Sequence, residues 1–343
     1  MPQKNNPDLS IIIPVYNEDK YLNDLFDQLK LYFNDQNIEV IFVNDGSTDT
    51  SKKIIENFQD QVNHKFIYRY INLDKNSGKG KAIQEGIKKS SGNFILLQDA
   101  DLELDTKDAF EMYQMIKNKD DIKCIFGSRY LSGKLKRNNY FFNNLVGKLN
   151  SLIFTIFFMH SLTDVHCGLK IMHRDVINKI NLTVNDFGIE LDIASQIVRN
   201  NFFIYEYGVS YYFRTKLQGK KITWIDGLKS LYYLFKVRFI DNDKYTNISV
   251  IFSTIYMSYV GSFFGMGSGN TLFIIFFALV GSVLGFNFRL FSSSVIFLFI
   301  YIGSLFGENN IKIFSVLIFF IMGLFMANYI KKYFSKTKFN QII

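Results

Sequence analysis

Short, unbroken apolar runs alternate with amphipathic stretches through the first half of the chain. Residues 9–15 form such a run. Continuous apolarity over so few residues predicts a strand buried on both faces, with Pro14 ending its ladder. Tyr21, Leu22, Leu25, Phe26, Leu29 and Phe33 then fall on one stripe of a helix. Further strands are predicted at 38–43, 66–71, 94–98 and 122–127. The turn Asn44-Asp45-Gly46-Ser47-Thr48-Asp49 doubles as a helix cap, and the glycine-rich loop 76–81 opens another helix. Strands alternating with helices predict an α/β fold with a mainly parallel sheet, whose ligands gather at the carboxyl ends of the strands.

The pattern changes in the second half. From 247 to 330 the charged side chains are Arg289, Glu308 and Lys312. Four apolar segments, 247–265, 271–287, 291–306 and 311–330, predict an α-helical transmembrane domain over 244–343; the third is short of the ~20 residues a span needs and the first is rather polar, which leaves two spans plus re-entrant or interfacial segments as the alternative. The loops 265–270 and 307–310 lack Lys and Arg, whereas the tail from Lys331 to Lys338 is basic. Basic segments stay in the cytoplasm, so the soluble domain and the C-terminus are both expected on the cytoplasmic face. Ahead of the spans, Ile225, Leu228, Tyr232, Phe235 and Phe239 recur at helical spacing, with Lys229, Lys236 and Arg238 interspersed. This predicts an amphipathic helix within 222–243 lying in the membrane interface, against the plainer alternative of a surface-packing helix. Residues 143–159 are apolar enough for a core helix or for one that leans on lipid. The soluble domain is then 1–221.

Composition narrows the partners. The 343 residues carry a net charge of +8, but the basic side chains are spread among acids. With no long basic block, nucleic acid is set aside in favour of a membrane surface or a phosphate-bearing ligand. The two cysteines, Cys124 and Cys167, imply no disulfide framework, and the polar N-terminus shows no secretory signal. A reducing cytoplasmic setting is expected.

Candidate chemistry lies in the loops after successive strands. They supply an aromatic (Tyr16), five acids (Glu18, Asp45, Asp99, Asp101 and Glu103), the loop Gly78-Lys79-Gly80-Lys81 and Arg129. An aromatic with a carboxylate suits a nucleobase. Clustered hard oxygen ligands suit Mg²⁺ or Mn²⁺, which bridge phosphate oxygens. Each loop alone is ordinary turn chemistry; their joint placement on consecutive strands favours a site. The glycine loop lacks both the Walker A spacing and a GxGxxG fingerprint, which sets aside kinases, ATPases and dehydrogenases. His166 beside Cys167 has no second ligand pair at useful spacing, and His64, His160 and His173 are expected to be structural or surface residues. Asp164, Glu190 and Asp192 remain open as groups that orient a substrate.

The segments Ile13-Pro14-Val15-Tyr16-Asn17-Glu18, Val43-Asn44-Asp45-Gly46-Ser47-Thr48-Asp49, Gly78-Lys79-Gly80 and Asp99-Ala100-Asp101 resemble the family 2 glycosyltransferases of GT-A fold. Gly127-Ser128-Arg129-Tyr130, the run Asp164 to Lys170 and the run Phe213 to Ile222 look like the subgroup of polyprenyl- and dolichyl-phosphate sugar synthases. The likeness covers about residues 8–240. Two positions depart from the pattern: Asn44 replaces an Asp, and Glu103 replaces a Gln, which keeps an oxygen ligand and adds charge.

The resemblance implies a Rossmann-like catalytic domain that binds a UDP- or GDP-sugar through Pro14, Tyr16, Glu18, Asp45, Lys79 and Asp99. It implies a metal, Mg²⁺ or Mn²⁺, on Asp99, Asp101 and Glu103. Arg129, Arg214 and Lys221 would meet the acceptor phosphate, and Asp101, Arg129 and Arg214 would carry catalysis. The partners implied are a nucleotide-sugar donor, a polyprenyl phosphate acceptor and the lipid bilayer, with a homo-oligomer compatible. A rival enzyme acting on a glycan hydroxyl needs a base, Glu190 or Asp192. A third reading is a membrane scaffold that binds nucleotide sugar without turnover.

Overall fold

The computed structural model describes residues 6–61, 66–131, 133–134, 136–137, 140–215, 218–220 and 224–239. The chain divides into two compact units, Met1–Val237 and Arg238–Ile343; the architecture below is that of the first. The four expected spans, the basic tail and Lys221 lie outside the described residues.

The first half alternates as β1 (Leu9–Val15), α1 (Asp19–Phe33), β2 (Ile38–Asp45), α2 (Ser51–Gln61), β3 (Phe66–Leu73), α3 (Lys79–Lys89), β4 (Phe94–Leu97), α4 (Thr106–Lys117) and β5 (Cys124–Ser128). Then come β6 (Lys136–Arg137), α5 (Phe141–Phe158), β7 (Lys170–His173), α6 (Arg174–Ile177), α7 (Ile189–Arg199), β8 (Tyr205–Gly208), β9 (Tyr211–Tyr212) and α8 (Trp224–Phe239). Seven strands form one sheet in the order β3-β2-β1-β4-β7-β5-β8, and β6 pairs with β9. Within the large sheet β7 alone runs antiparallel, against β4 and β5. Mainly parallel pairing with helices on both faces is the expected α/β architecture.

Side-chain alternation builds two cores. Leu9, Ile11, Ile13 and Val15 of β1 point to one face with Val40 and Phe42 of β2, where the α1 stripe Leu22, Leu25, Phe26, Leu29 and Phe33 covers them. Ile12, Ile41, Val43, Ile95 and Leu97 point to the other face, under Ala82 and Ile83 of α3 and the apolar residues of α7. Contrary to the sequence expectation, Pro14 does not end the ladder. It lies within β1 opposite Val43, and Val15 still pairs with Asn44.

Two features of the topology place the site. The sheet order turns outward in both directions from the β1–β4 pair, so the crevice at their carboxyl ends is the topological switch point. Because β7 is antiparallel, its first residue, Lys170, lies opposite Leu97 at the end of β4. The segment from Asp164 to Gly168 is thereby delivered to the same edge as the β4 acids.

Phe26 is 2% exposed. It stacks on Phe58 and meets Phe42 edge-on, with ring centres 5.0 Å apart. Phe26→Ala is expected to cost about 3 kcal/mol and to lower the melting temperature by about 10 °C. Differential scanning fluorimetry of both proteins in one detergent checks this; a shift under about 2 °C would contradict the packing described.

Candidate active site

Pro14, Tyr16, Glu18, Asp45, Lys79, Asp99, Asp101, Glu103, Arg129 and Arg214 all line one cavity of about 440 Å³. Its far wall comes from α5 and α8, through Phe142, Val146, Gly227 and Ser230.

The loop after β1 is stitched to the turn after β2. Asn17 takes a left-handed conformation, φ 52°, which Asn tolerates better than most residues. Its Oδ1 accepts from the Thr48 N–H at 2.8 Å, and its own N–H donates to Ser47 at 3.0 Å. The Glu18 N–H donates to Ser51 at 2.9 Å. Gly46, φ +67°, has backbone of Lys75 and Asn76 where a Cβ would stand, so only glycine fits. Asp45 accepts from the backbone N–H groups of Ser77 and Gly78 at 2.7 and 2.9 Å. It thus fixes the glycine loop, and burial raises its pKa. Asn44 hydrogen-bonds Asn72 and the Ser47 N–H, holding the turn from beneath.

Past β4, Leu102 adopts φ 53°, a strained conformation for leucine. The Glu103 N–H donates to Asp101 across this turn at 3.1 Å. The result separates the three acids expected to share a metal. Asp99 faces Lys79, at 2.6 Å. Asp101 and Glu103, joined by Glu18, face Arg214 at 2.8, 3.4 and 2.8 Å. Among the described residues, no three His, Cys, Asp or Glu side chains are already gathered for a metal. The donor chemistry of Asp101 and Glu103 nevertheless fits a divalent ion, since hard oxygens converge there on one cation. Burial, then the neighbouring charges of Glu103 and Asp99, push the Asp101 pKa up to about 6 against the opposing pull of Arg214.

Behind Asp99 lies a buried chain of charges. Lys79 bridges Asp99 and, at 2.9 Å, Glu190; Glu190 also pairs with Lys170, which bonds the Cys167 carbonyl. Burial opposes the charge on Lys79, but Asp99 and Glu190 outweigh it and hold the ammonium above its usual pKa. Burial likewise works to raise the Glu190 pKa, yet Lys170 and Lys79 pull it down to about 2. A Cβ at Gly168 would land on the Asp99 carboxylate, so glycine is needed there for Asp99 to reach Lys79. Lys170 and Gly168 were visible only as members of the Asp164 to Lys170 run; their roles depend on the antiparallel β7.

Arg129 is held by Asp164 through its Nε and Nη2, at 2.7 and 2.8 Å, and through its backbone N–H. This two-pronged geometry fixes the plane of the guanidinium. Asp164 therefore positions Arg129. Burial opposes ionisation of Asp164, but Arg129 wins and lowers its pKa. His166 also lines the cavity, 3.0 Å from Asn150, and burial pulls its pKa down to about 4. Burial pushes the Cys167 thiol up to about 12, so it stays protonated at neutral pH and offers no thiolate. Asp192 accepts from the Thr183 and Val184 N–H groups and from Gln196, a structural role.

Because its folded pKa is depressed from 4.5, Glu190 contributes stability that is fully present above about pH 4.5 and is lost as pH falls toward 2. Glu190→Gln is expected to cost about 3 kcal/mol at pH 7, by stranding the buried Lys170 and leaving Lys79 with Asp99 alone. The gap in melting temperature to wild type should hold from pH 7 to 5 and narrow below about 4.5. A gap that widens on acidification would contradict the bridge.

Comparison with known proteins agrees with this geometry. Residues 10–180 match the family model described as glycosyl transferase family 2. A dolichyl-phosphate beta-glucosyltransferase of Trichomonas vaginalis is 32% identical over 177 residues, covering 48% of this chain and 52% of the relative. A dolichol-phosphate mannosyltransferase of Pyrococcus furiosus is 27% identical over 235 residues, covering 66% and 64%. The matched stretches thus span half to two thirds of those relatives' lengths. The crystal structure of glucosyl-3-phosphoglycerate synthase from Mycobacterium tuberculosis, in complex with Mn²⁺, UDP and glucosyl-3-phosphoglycerate, shares the fold. Its TM-score is 0.53 at 13% identity, over 69% of this chain and 82% of that one. Residues 10–180, from β1 through the segment that carries Asp164, Gly168 and Lys170, are a glycosyl transferase family 2 domain.

Proposed function

We propose that this chain transfers a hexose from UDP-glucose or GDP-mannose to the phosphate of a polyprenyl phosphate. The observation that carries this reading is the state of Glu190. It is the cavity carboxylate expected to serve as a base if the acceptor were a hydroxyl. Instead it is clamped between Lys79 and Lys170, with its pKa pulled down to about 2. A carboxylate so stabilised is a poor proton acceptor. Glu18, Asp99, Asp101 and Glu103 are each paired with a cation as well. With Glu190 withdrawn as a base, a nucleophile that arrives already charged is favoured. A phosphate monoester does, since its second pKa is near ~6.

The cavity's two ends suit the two substrates. Tyr16 and Glu18 would take the base and ribose end, with Asp45 holding the glycine loop against them. Asp99 and Lys79 would lie along the diphosphate. Asp101 and Glu103 would hold Mg²⁺ or Mn²⁺, which when bound offsets the charge growing on the leaving diphosphate. Arg129, fixed by Asp164, would orient the acceptor phosphate, with Arg214 and Lys221 assisting. An acceptor phosphate oxygen then attacks the anomeric carbon from the face opposite the diphosphate. The new C–O bond forms as the old one breaks, and the bonding pair leaves with the nucleoside diphosphate. Attack from the opposite face inverts the centre, so an α-linked donor gives a β-linked lipid phosphate sugar. The names of the two relatives supply both sugar choices.

The lipid half of the reading is supported by two helices beside the cavity. On α5, Phe141, Leu145, Leu149, Leu152 and Ile156 recur at spacings of three and four and are all exposed, as is Met159 at its C-cap. Tyr232 and Phe235 of α8 are exposed too, whereas Leu234 and Val237 are buried. α5 is also the one described helix long and apolar enough to cross a membrane. Apolar faces of this kind flanking the cavity fit a bilayer surface that presents a lipid acceptor. In this reading the protein is membrane-bound, with its catalytic domain on the cytoplasmic face.

The test is transfer of radiolabelled sugar from a panel of UDP- and GDP-sugars to polyprenyl phosphate in detergent. With Mn²⁺ or Mg²⁺ one donor should yield a lipid product. EDTA should abolish it, and Asp101→Asn should lower the rate by at least about 100-fold, as expected for loss of a group acting on the leaving charge. Absence of a lipid product with every donor, or full activity in Asp101→Asn, would overturn the proposal.

A further inference from the structure

The acids expected to bind metal already enclose a cation. Arg214 is 7% exposed. Its Nη1 donates to Glu18 at 2.8 Å, its Nη2 to Asp101 at 2.8 Å, and its Nε to Glu103 at 3.4 Å. Tyr21 packs its ring 4.9 Å from the guanidinium carbon. Lys220 adds a second cation, 2.5 Å from Glu103. The oxygens given to Arg214 are those a divalent ion would need, so the two cations exclude one another at Asp101 and Glu103.

The backbone allows an exchange without unfolding. The Arg214 and Tyr212 N–H groups donate to the Glu103 side chain and carbonyl at 3.1 and 2.9 Å. Those bonds tether the segment whichever way the Arg214 side chain points. Tyr211, one hydroxyl 3.4 Å from Glu103, also lies under Arg129, its ring centre 5.3 Å from that guanidinium. Arg214 and Arg129 line the same cavity, so an anion bound there would be within reach of two guanidinium groups once Arg214 is released.

We propose that Arg214 is an exchangeable resident cation: it holds Glu18, Asp101 and Glu103 until a divalent ion displaces it, and the displaced guanidinium then grips the acceptor phosphate. Metal loading and phosphate binding are coupled through this one side chain, so each strengthens the other. The acceptor grip is completed only on an enzyme whose metal site is filled, which orders the substrates. The identity of the phosphate as an acceptor rests on the function proposed above; the exchange of cations does not.

Two binding measurements on the full chain in detergent test this without turnover. Mn²⁺ affinity, read from the free-ion EPR signal with no nucleotide present, should tighten about tenfold in Arg214→Ala and Arg214→Gln, because the competing cation is gone. Farnesyl phosphate, followed by calorimetry, should bind wild type about tenfold more tightly in saturating Mn²⁺, and that gain should vanish in Arg214→Gln. Unchanged or weaker Mn²⁺ binding in a folded Arg214→Gln would overturn the exchange. So would farnesyl phosphate binding that is indifferent to Mn²⁺ in wild type, a result that needs no variant. Neither readout involves sugar transfer, so failure to find a lipid product would leave the exchange standing, and loss of the exchange would leave the transfer reading standing.

Discussion

Five carboxylates crowd one edge of the sheet, and each must be given a positive partner before it can stay ionised there. This constraint organises the site. Asp45 is satisfied by the N–H groups of Ser77 and Gly78, which fixes the glycine loop. Asp99 takes Lys79, and Lys79 in turn brings Glu190 and Lys170. Glu18, Asp101 and Glu103 take Arg214 and Lys220, which pins the segment after β9 over the cavity. Buried like charges repel strongly in a low-dielectric setting, so compensation of this density is a requirement of folding as well as a tool of chemistry.

The same compensation defines what the cavity can do. With Glu190 and Asp99 committed to lysines, and Glu18, Asp101 and Glu103 to Arg214, the site is well equipped to receive anions. Its basic groups are immobilised by their own partners: Arg129 by Asp164, Lys79 by Asp99 and Glu190. Pre-set donors of this kind cost no reorganisation when charge shifts between two phosphates. The exposed apolar stripe of α5 and the exposed Tyr232 and Phe235 of α8 give the cavity an apolar outer side.

Much of this was legible in the residues. Continuous apolar runs marked β1, β2, β4 and β5, which are buried on both faces, and the partly exposed edge strand β3 was legible as well; the loops following them gathered where parallel topology puts them. What periodicity missed came from contacts distant in the chain. Lys170–His173 does not read as a strand, since Lys170 is neutralised by Glu190, twenty residues on. Without β7, the opposition of Gly168 to Asp99 and the service of Asp164 to Arg129 have no visible reason. Pro14 was misread because a proline within a strand loses one donor, which the ladder tolerates beside Val43 and Asn44. The three acids Asp99, Asp101 and Glu103 looked equivalent in sequence; the left-handed turn at Leu102 and the position of Lys79 give them different partners. The apolarity of α5 left core and lipid open, and burial of only Asn150, Ser151 and Phe154 along that helix settles it as an exposed face.

The central claim is that the acceptor supplies its own charge, since Glu190, the carboxylate expected to act as a base, is clamped between two lysines. It is tested most directly by offering the enzyme a polyprenyl phosphate and the matching polyprenol in equal amounts, with one labelled donor, and separating the products. The account predicts that label passes to the phosphate alone. Transfer to the alcohol at a comparable rate would mean that a group in the cavity removes a proton after all, and would contradict it.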